Sequence, residues 1–248
     1  MGGVVKYLWI FNRRGRENRK ENFTMFKGFT PQTGEFIWEL AFNNERPWFL
    51  EHKEQFEKVL NEPFKALAAD TFAAFKRRFP EMDCRVHVSR IYRDARRLFG
   101  RGPYKDHLWF SIKRSDALLE GPMFWFEIGA AEYSYGMGFY SATPAQMAEF
   151  RRGIDANPAA FARLAERMEA LPGFILTGEE YKRPKGDHGE LINRWYNRKR
   201  LGMECSRNHD ELLYSERLPE VLAEAYGELM PLYEHFLSFY RVDVPEKI

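Results

Sequence analysis

Cysteine is scarce in this chain, with only Cys84 and Cys205 among 248 residues. Two thiols cannot form a disulfide scaffold or, by themselves, a thiolate zinc site, so we expect free thiols in a reducing, cytoplasmic compartment. Long apolar runs are missing as well, because no stretch approaches the roughly 18 residues that cross a bilayer. We therefore expect no membrane partner.

An excess of one charge is also lacking. The 38 Lys and Arg residues face 36 Asp and Glu residues, which gives a net charge of +2 and does not indicate a polyanionic partner. The sequence has no Gly-Lys-Ser phosphate loop, no Gly-x-Ser-x-Gly elbow and no histidine spacing typical of metal ligands. It predicts no cofactor and no metal, and Gly136 and Gly138 indicate close backbone approach within a strand.

Aromatic residues are plentiful, with 22 Phe, 12 Tyr and 6 Trp, and 44% of the chain is hydrophobic. This composition is typical of a folded globular protein. Apolar residues recur at helical spacing from 30 to 79, alternate over 85–93, 107–113, 123–129 and 133–141, and return to helical spacing over 144–157, 158–171 and 218–240. Strands with no helix between them pair antiparallel, so the pattern predicts an α+β fold.

Residues 1–22 differ from the rest of the chain. An apolar stretch precedes a run of basic residues there, which is the reverse of the order in a signal peptide. We expect this segment to be an extension that is disordered or not native, because Met25 directly precedes the first helical pattern. Residues 23–241 are then predicted to form one α+β domain, with helices before and after a central antiparallel sheet, and 242–248 a tail.

Positive charge is concentrated in two segments. Residues 85–105 hold seven basic residues against one acidic residue, and residues 181–200 hold seven against two. The remainder of the chain has 24 basic and 33 acidic residues and is therefore acidic. Such local concentration indicates attraction of an anion to particular surfaces rather than a general affinity for nucleic acid.

The first basic segment carries a recognisable motif. It reads Arg90-Ile91-Tyr92-Arg93-Asp94-Ala95-Arg96 and continues to Pro103-Tyr104-Lys105. Upstream of it stand Asn43-Asn44 and Trp48-Phe49. Downstream of it stand Glu127, Gly136-x-Gly138-x-Tyr140 and Lys182-Arg183-Pro184-x-Gly186. In this order the chain resembles the family called domain of unknown function 2461 from about 23 to 237. Arg97 and Arg101 stand where the family usually has Phe and Lys. The resemblance implies the fold and a site, and it implies no activity.

The alternation over 85–93 places Arg90 on one strand face with Val86 and Val88, which predicts a partly buried guanidinium. A buried guanidinium requires a carboxylate or a bound anion, and Asp94 and Glu127 are the nearest candidates. We therefore expect a small-anion pocket for a phosphoester or carboxylate, lined by Arg90, Tyr92, Arg93, Arg96, Arg101, Tyr104 and Lys105. Asp94 and Glu127 are its candidate acid/base groups if the pocket is enzymatic, and Lys182, Arg183 and Lys185 form a secondary basic segment.

Two other functions remain open from the sequence. Aromatic residues interleave with both basic segments, which is compatible with nucleic-acid binding through base stacking. Alternatively, the arginines form internal ion pairs in a structural or protein-interaction role, because such pairs arise as readily as catalytic ones. The sequence leaves the oligomeric state open.

Overall fold

The computed structural model describes residues 6–11, 17–23, 25–94, 96, 100–116 and 121–239, and the predicted tail at 242–248 and Arg97 lie outside them. The helices are α1 (Pro31–Phe42), α2 (Arg46–Glu51), α3 (Lys53–Phe56), α4 (Glu62–Arg78), α5 (Pro144–Ala156), α6 (Pro158–Glu169), α7 (Glu190–Tyr196) and α8 (Leu218–Phe239). Proline stands in the first turn of α1, α2, α5 and α6, where the backbone N–H has no helical partner to lose.

The sequence Asn61-Glu62-Pro63 predicts the end of one helix and the start of another, but in the structure no helix ends there. A π-helical turn, Glu57–Asn61, joins α3 to α4 directly, and the Glu62 N–H donates to the Glu57 carbonyl. A π turn bonds residue i to i+5 and therefore widens the helix locally. Pro63 follows at the start of α4, where its ring fits without breaking the chain of helical turns.

Six strands form one antiparallel sheet in the order β3-β4-β5-β6-β8-β7. Their bounds are β3 (Cys84–Val88), β4 (Leu108–Arg114), β5 (Met123–Ile128), β6 (Glu132–Gly138), β7 (Ile175–Thr177) and β8 (Gly202–Asn208). All five neighbouring pairs are antiparallel, and helices precede and follow the sheet in sequence. The predicted α+β domain with a central antiparallel sheet is confirmed.

The hydrophobic core lies between one face of this sheet and the helices α4 and α8. Phe75 of α4 and Tyr226 and Tyr233 of α8 place their ring centroids 5.3, 5.1 and 4.7 Å from that of Phe124 in β5. All four side chains are buried. Aromatic packing at these distances adds to the area that burial removes from water, so this contact fixes the two helices on the sheet.

The other face, which we call the second face, carries the alternate residues. Trp109, Ser111 and Lys113 of β4 lie on it with Trp125 and Glu127 of β5, because their strand neighbours point into the core. A Cβ on Gly136 would overlap a carbonyl of β8 and lie 2.9 Å from the Trp125 ring. That glycine therefore permits the close approach that the sequence indicates.

The expectation that Arg90 is partly buried is wrong. β3 ends at Val88, Ser89 and Ile91 are buried, and Arg90 is exposed. The alternation breaks because the Ser89 hydroxyl accepts a hydrogen bond from the Trp109 N–H at 2.9 Å, which turns the Ser89 side chain toward the sheet. The chain beyond Val88 therefore leaves the strand.

The segment before Met25 contains a hairpin of β1 (Lys6–Phe11) and β2 (Glu17–Phe23), with β1 beside β3 and β2 beside α4. We predict that a chain starting at Met25 unfolds within about 2 °C of the full chain, because the buried core side chains that the structure describes all follow Met25. Thermal unfolding of both proteins measures this. A loss of more than about 5 °C on truncation would show that the hairpin stabilises the domain.

None of the described helices is long and apolar enough to cross a membrane.

Candidate functional site

The first basic segment forms a bent loop between β3 and β4. Tyr92 and Tyr104 face each other in an isolated antiparallel bridge, flanked by hydrogen bonds from the Arg93 N–H to the Pro103 carbonyl and from the Lys105 N–H to the Ile91 carbonyl, both 2.8 Å long. The two halves of the sequence motif are therefore paired backbone to backbone. This pairing gives the loop a defined shape outside the main sheet.

Asn44 fixes this loop to the start of α2. Its side-chain amide donates to the Tyr104 carbonyl at 3.0 Å, and its side-chain oxygen accepts from the Tyr104 N–H at 2.9 Å. A Cβ on Gly102 would overlap the Asn44 side chain, so glycine is required there. The upstream and central parts of the sequence motif therefore meet in one structural contact.

The side chain of Arg93 is turned inward. Its side chain is 12% exposed, Nε donates to the Tyr104 carbonyl at 2.7 Å, and Nη2 donates to Asp106 at 3.2 Å. Tyr104 is 2% exposed and stacks on Phe49 with 4.1 Å between ring centroids. These two residues hold the loop in place, as the internal ion-pair alternative requires.

The remaining basic residues of the loop point in different directions. Arg96 is 85% exposed and pairs with Asp94, which accepts from both its backbone N–H and its Nε. Lys105 donates its ammonium hydrogen bond to the Arg90 carbonyl, and Arg90 and Arg101 are exposed. The structure therefore brings Arg93 and Tyr104 together, places Tyr92 at the surface beside them, and leaves Arg96 and Arg101 on separate outer positions.

Glu127 lies on the second face, opposite Trp109 of β4 and Ser134 of β6. Burial raises its pKa, and the negative charges of Glu204 and Asp106 raise it further, whereas His107 and Lys105 oppose the rise. His107 in turn contacts Asp106, with 2.9 Å between Nδ1 and Oδ1. Glu127 is thus surrounded by titratable side chains. Asp94, the other candidate acid/base group, instead accepts hydrogen bonds from Arg96 two residues further along.

The second basic segment forms a loop that Asn197 holds against α7. The Lys185 N–H donates to the Asn197 side-chain oxygen at 2.6 Å, and the Asn197 amide donates to the Gly186 carbonyl at 3.3 Å. The Tyr181 N–H also donates to the Asn197 carbonyl at 2.8 Å. The Lys182-Arg183-Pro184-x-Gly186 motif is therefore a braced loop with exposed side chains at Lys182, Arg183 and Lys185.

Arg151 of α5 reaches this loop and is the residue that sequence reasoning missed. Its guanidinium carbon lies 5.6 Å from the centroid of Tyr181 and 5.9 Å from that of Tyr196. The Lys185 ammonium lies 4.7 Å from the same Tyr181 centroid. Two cations therefore share one aromatic ring, an arrangement in which each contact is favourable but the charges repel.

One guanidinium nitrogen of Arg151, Nη1, is buried and has no hydrogen-bond partner among the residues that the structure describes. The nearby carboxylate, Asp155, is engaged by the Tyr196 hydroxyl at 3.2 Å and by His188 Nε2 at 3.0 Å. Burial raises the pKa of Tyr196, and Asp155 adds to this by accepting its hydrogen bond. We call Arg151, Tyr181, Lys185, Tyr196 and Asp155 the Arg151 site.

The two basic segments are attached to opposite edges of the sheet. Residues 85–105 include edge strand β3, and residues 181–200 connect edge strand β7 to β8. With about 4.8 Å between neighbouring strands, five steps separate these edges by about 24 Å. The segments therefore form two separate basic surfaces. Within the described part of the chain, no group of three or more His, Cys, Asp or Glu residues is arranged to hold a metal.

The comparison with protein families gives one match. The model of the family described as conserved hypothetical protein, DUF2461, matches residues 32–235. No curated protein matches the chain. The match spans the helices before the sheet, the sheet itself and most of α8, including both basic segments. Because it covers far more than half of the sequence, the chain belongs to the DUF2461 family of conserved hypothetical proteins.

Proposed function

We propose that this protein binds a small anionic molecule, a phosphoester or a carboxylate, at the Arg151 site. The observation that carries the proposal is the buried Nη1 of Arg151, for which the described part of the chain offers no acceptor. Leaving a buried donor unsatisfied costs about 1–3 kcal/mol, and more when the group is charged. An oxyanion that accepts from this nitrogen removes that cost, because guanidinium groups match phosphate and carboxylate oxygens in geometry and charge.

The charge around Arg151 favours an anion. Lys185 adds a second positive charge within the site, and neither cation has a carboxylate within ion-pair distance among the described residues. Asp155 is the one acidic member, and its two oxygens already contact Tyr196 and His188. The exposed Lys182 and Arg183 beside the site attract anions from solution through their longer-range field.

The tyrosine rings give the site its rigidity. Tyr196 is buried and donates its hydroxyl hydrogen bond to Asp155, so its ring position under Arg151 is fixed. The Asn197 hydrogen bonds hold the loop that carries Lys185 in the same way. Because the guanidinium is already positioned before a ligand binds, the entropic cost of ordering the site on binding is small.

A thermal-shift screen tests the proposal with orthophosphate, sugar phosphates, nucleotides and dicarboxylates, and with short DNA and RNA, at 50 and 200 mM salt. Arg151→Met keeps the packing on both tyrosines but removes the charged donors. We expect it to weaken binding of the responding anion by about 10- to 100-fold, which is the effect of one charge-assisted hydrogen bond. Arg152→Met is the matched control, because Arg152 is exposed and pairs with Glu149.

Three results would contradict the proposal. The shift could persist in Arg151→Met, or Arg152→Met could lose it equally, which would indicate a general charge effect. Shifts from DNA or RNA alone that vanish at 200 mM salt would instead favour nucleic-acid binding, because neutralising about six duplex phosphates costs on the order of 10³-fold in affinity over that range. A small anion held by a partly buried guanidinium is screened much less.

A further inference from the structure

A second pair of cations stands on the second face, at the other edge of the sheet from the Arg151 site. Lys113 of β4 lies directly opposite Arg85 of β3 in the antiparallel register. Residues directly opposite one another share a face with their Cβ atoms about 5 Å apart. Like charges at this distance destabilise a strand pair, so an arrangement of two adjacent cations requires a compensating group.

Lys113 is 7% exposed, which is unusual for a lysine. Neither its ammonium group nor the Arg85 guanidinium has a hydrogen bond or an ion pair within the described ranges. The two carboxylates closest in sequence are engaged elsewhere, since Asp83 accepts from Ser115 and Asp116 pairs with Arg114. Burial lowers the pKa of Lys113, and the charge of Arg85 lowers it further.

The next strand pair provides further donors on the same face. His87 and Ser111 face each other in the next pair along β3 and β4, on the same second face. Ser111 is buried, and the centroid of the His87 ring lies 5.3 Å from that of Trp109. An ionised lysine in such a place requires a counter-ion, because burying an unpaired charge is expensive.

We propose that Lys113 and Arg85 bind an oxyanion, the phosphate or carboxylate group of a small molecule, on the second face of the sheet. The guanidinium of Arg85 supplies paired donors and the ammonium of Lys113 supplies a point charge, which is the combination that recognises such groups. A bound anion attracts both cations, and these two attractions offset the repulsion between the cations. This site is independent of the Arg151 site.

The experiment uses the full chain carrying Arg151→Met, so that only the second site responds. Orthophosphate and succinate are the probes, and they distinguish a phosphate group from a carboxylate. At ten times its dissociation constant, the preferred probe is expected to raise the melting temperature by about 3–6 °C. Adding Lys113→Met or, in a separate protein, Arg85→Gln should abolish this shift, whereas adding Lys53→Met at an exposed position of α3 should leave it.

A second measurement is independent of whether the Lys113 variant folds. NMR titration of the Lys113 ammonium in the unmodified chain should show its pKa rising when the responding probe is present, because an adjacent anion favours the charged form. A probe-dependent shift that survives in both variants, or no shift with either probe, overturns the inference. A Lys113 pKa unchanged by saturating probe also overturns it, since it would indicate a neutral buried amine without a ligand. An anion response of the unmodified chain that Arg151→Met leaves unchanged would count against the proposed function and leave this site standing.

Discussion

Replacing Asn44 with alanine is expected to lower the free energy of unfolding by about 2–3 kcal/mol, because it removes both hydrogen bonds to the Tyr104 backbone. The Tyr104 carbonyl keeps its bond from Arg93, but the Tyr104 N–H loses its acceptor at a buried position. The space beside Gly102 is emptied at the same time. The loop between β3 and β4 then has one fewer attachment to the helices.

Asn43→Ala is the matched control, since Asn43 is the adjacent residue, is exposed, and donates its side-chain amide to the Glu39 carbonyl at 3.0 Å. It is expected to cost under about 1 kcal/mol. Denaturant unfolding at pH 7 measures both changes. Equal destabilisation by the two variants would contradict the role that the structure gives to Asn44.

The second large effect is on acid stability. Burial lowers the pKa of His235 to about 4, where its ring lies against Phe150 and Phe161. An unfolded histidine titrates near pH 6.5. Between these values the unfolded state binds a proton that the folded state does not, so acidification from pH 6.5 to pH 4 removes up to about 3 kcal/mol of stability. Above pH 6.5 the effect is absent.

His235→Phe removes this titration while keeping a ring in the cluster. The difference in unfolding free energy between the variant and the unmodified protein should move in favour of the variant by about 2–3 kcal/mol on going from pH 7.5 to pH 4.5. The two proteins must be compared at each pH, because protonation of carboxylates with a lowered pKa, such as Asp210, also destabilises the folded protein on acidification. A difference that stays constant with pH would contradict the assignment.

The fold was largely predictable from the sequence because its signals are local. Alternation in β5 places Phe124, Phe126 and Ile128 on one face, and the structure buries all three. The prediction that Arg90 is partly buried failed for a non-local reason, since the hydrogen bond between Ser89 and Trp109 joins residues that are 20 positions apart. A polar side chain that bonds a neighbouring strand overrides alternation, and nothing in the local pattern signals it.

The residues of the candidate sites also differ in whether the local sequence pattern could predict their position. Arg151 contacts Tyr181 and Tyr196, which lie 30 and 45 residues further along the chain, so no spacing within α5 indicates its role. Lys113, in contrast, follows Trp109 and Ser111 at every second position, and alternation alone places it on the second face. Its opposite neighbour Arg85 depends on strand register, which the loop lengths do not determine.

The separation of the two basic segments affects the nucleic-acid alternative. They lie at opposite edges of the sheet, and the rest of the chain has an excess of acidic residues. A nucleic acid contacting both segments would also be subject to the field of that acidic remainder, which repels phosphates. In the first segment, Arg93 and Arg96 are already paired with Asp106 and Asp94, so fewer cations are available there for a backbone.

The most direct test of the central claim follows the Arg151 side chain itself. In protein labelled with ¹⁵N-arginine, the Arg151 Nε–H resonance is identified by its loss in Arg151→Met and is followed while orthophosphate or the best anion from the screen is added. We predict a saturable shift of this resonance, with a dissociation constant that changes by less than about tenfold between 50 and 200 mM salt. A resonance that does not move while the protein binds the anion would contradict the claim that Arg151 holds it.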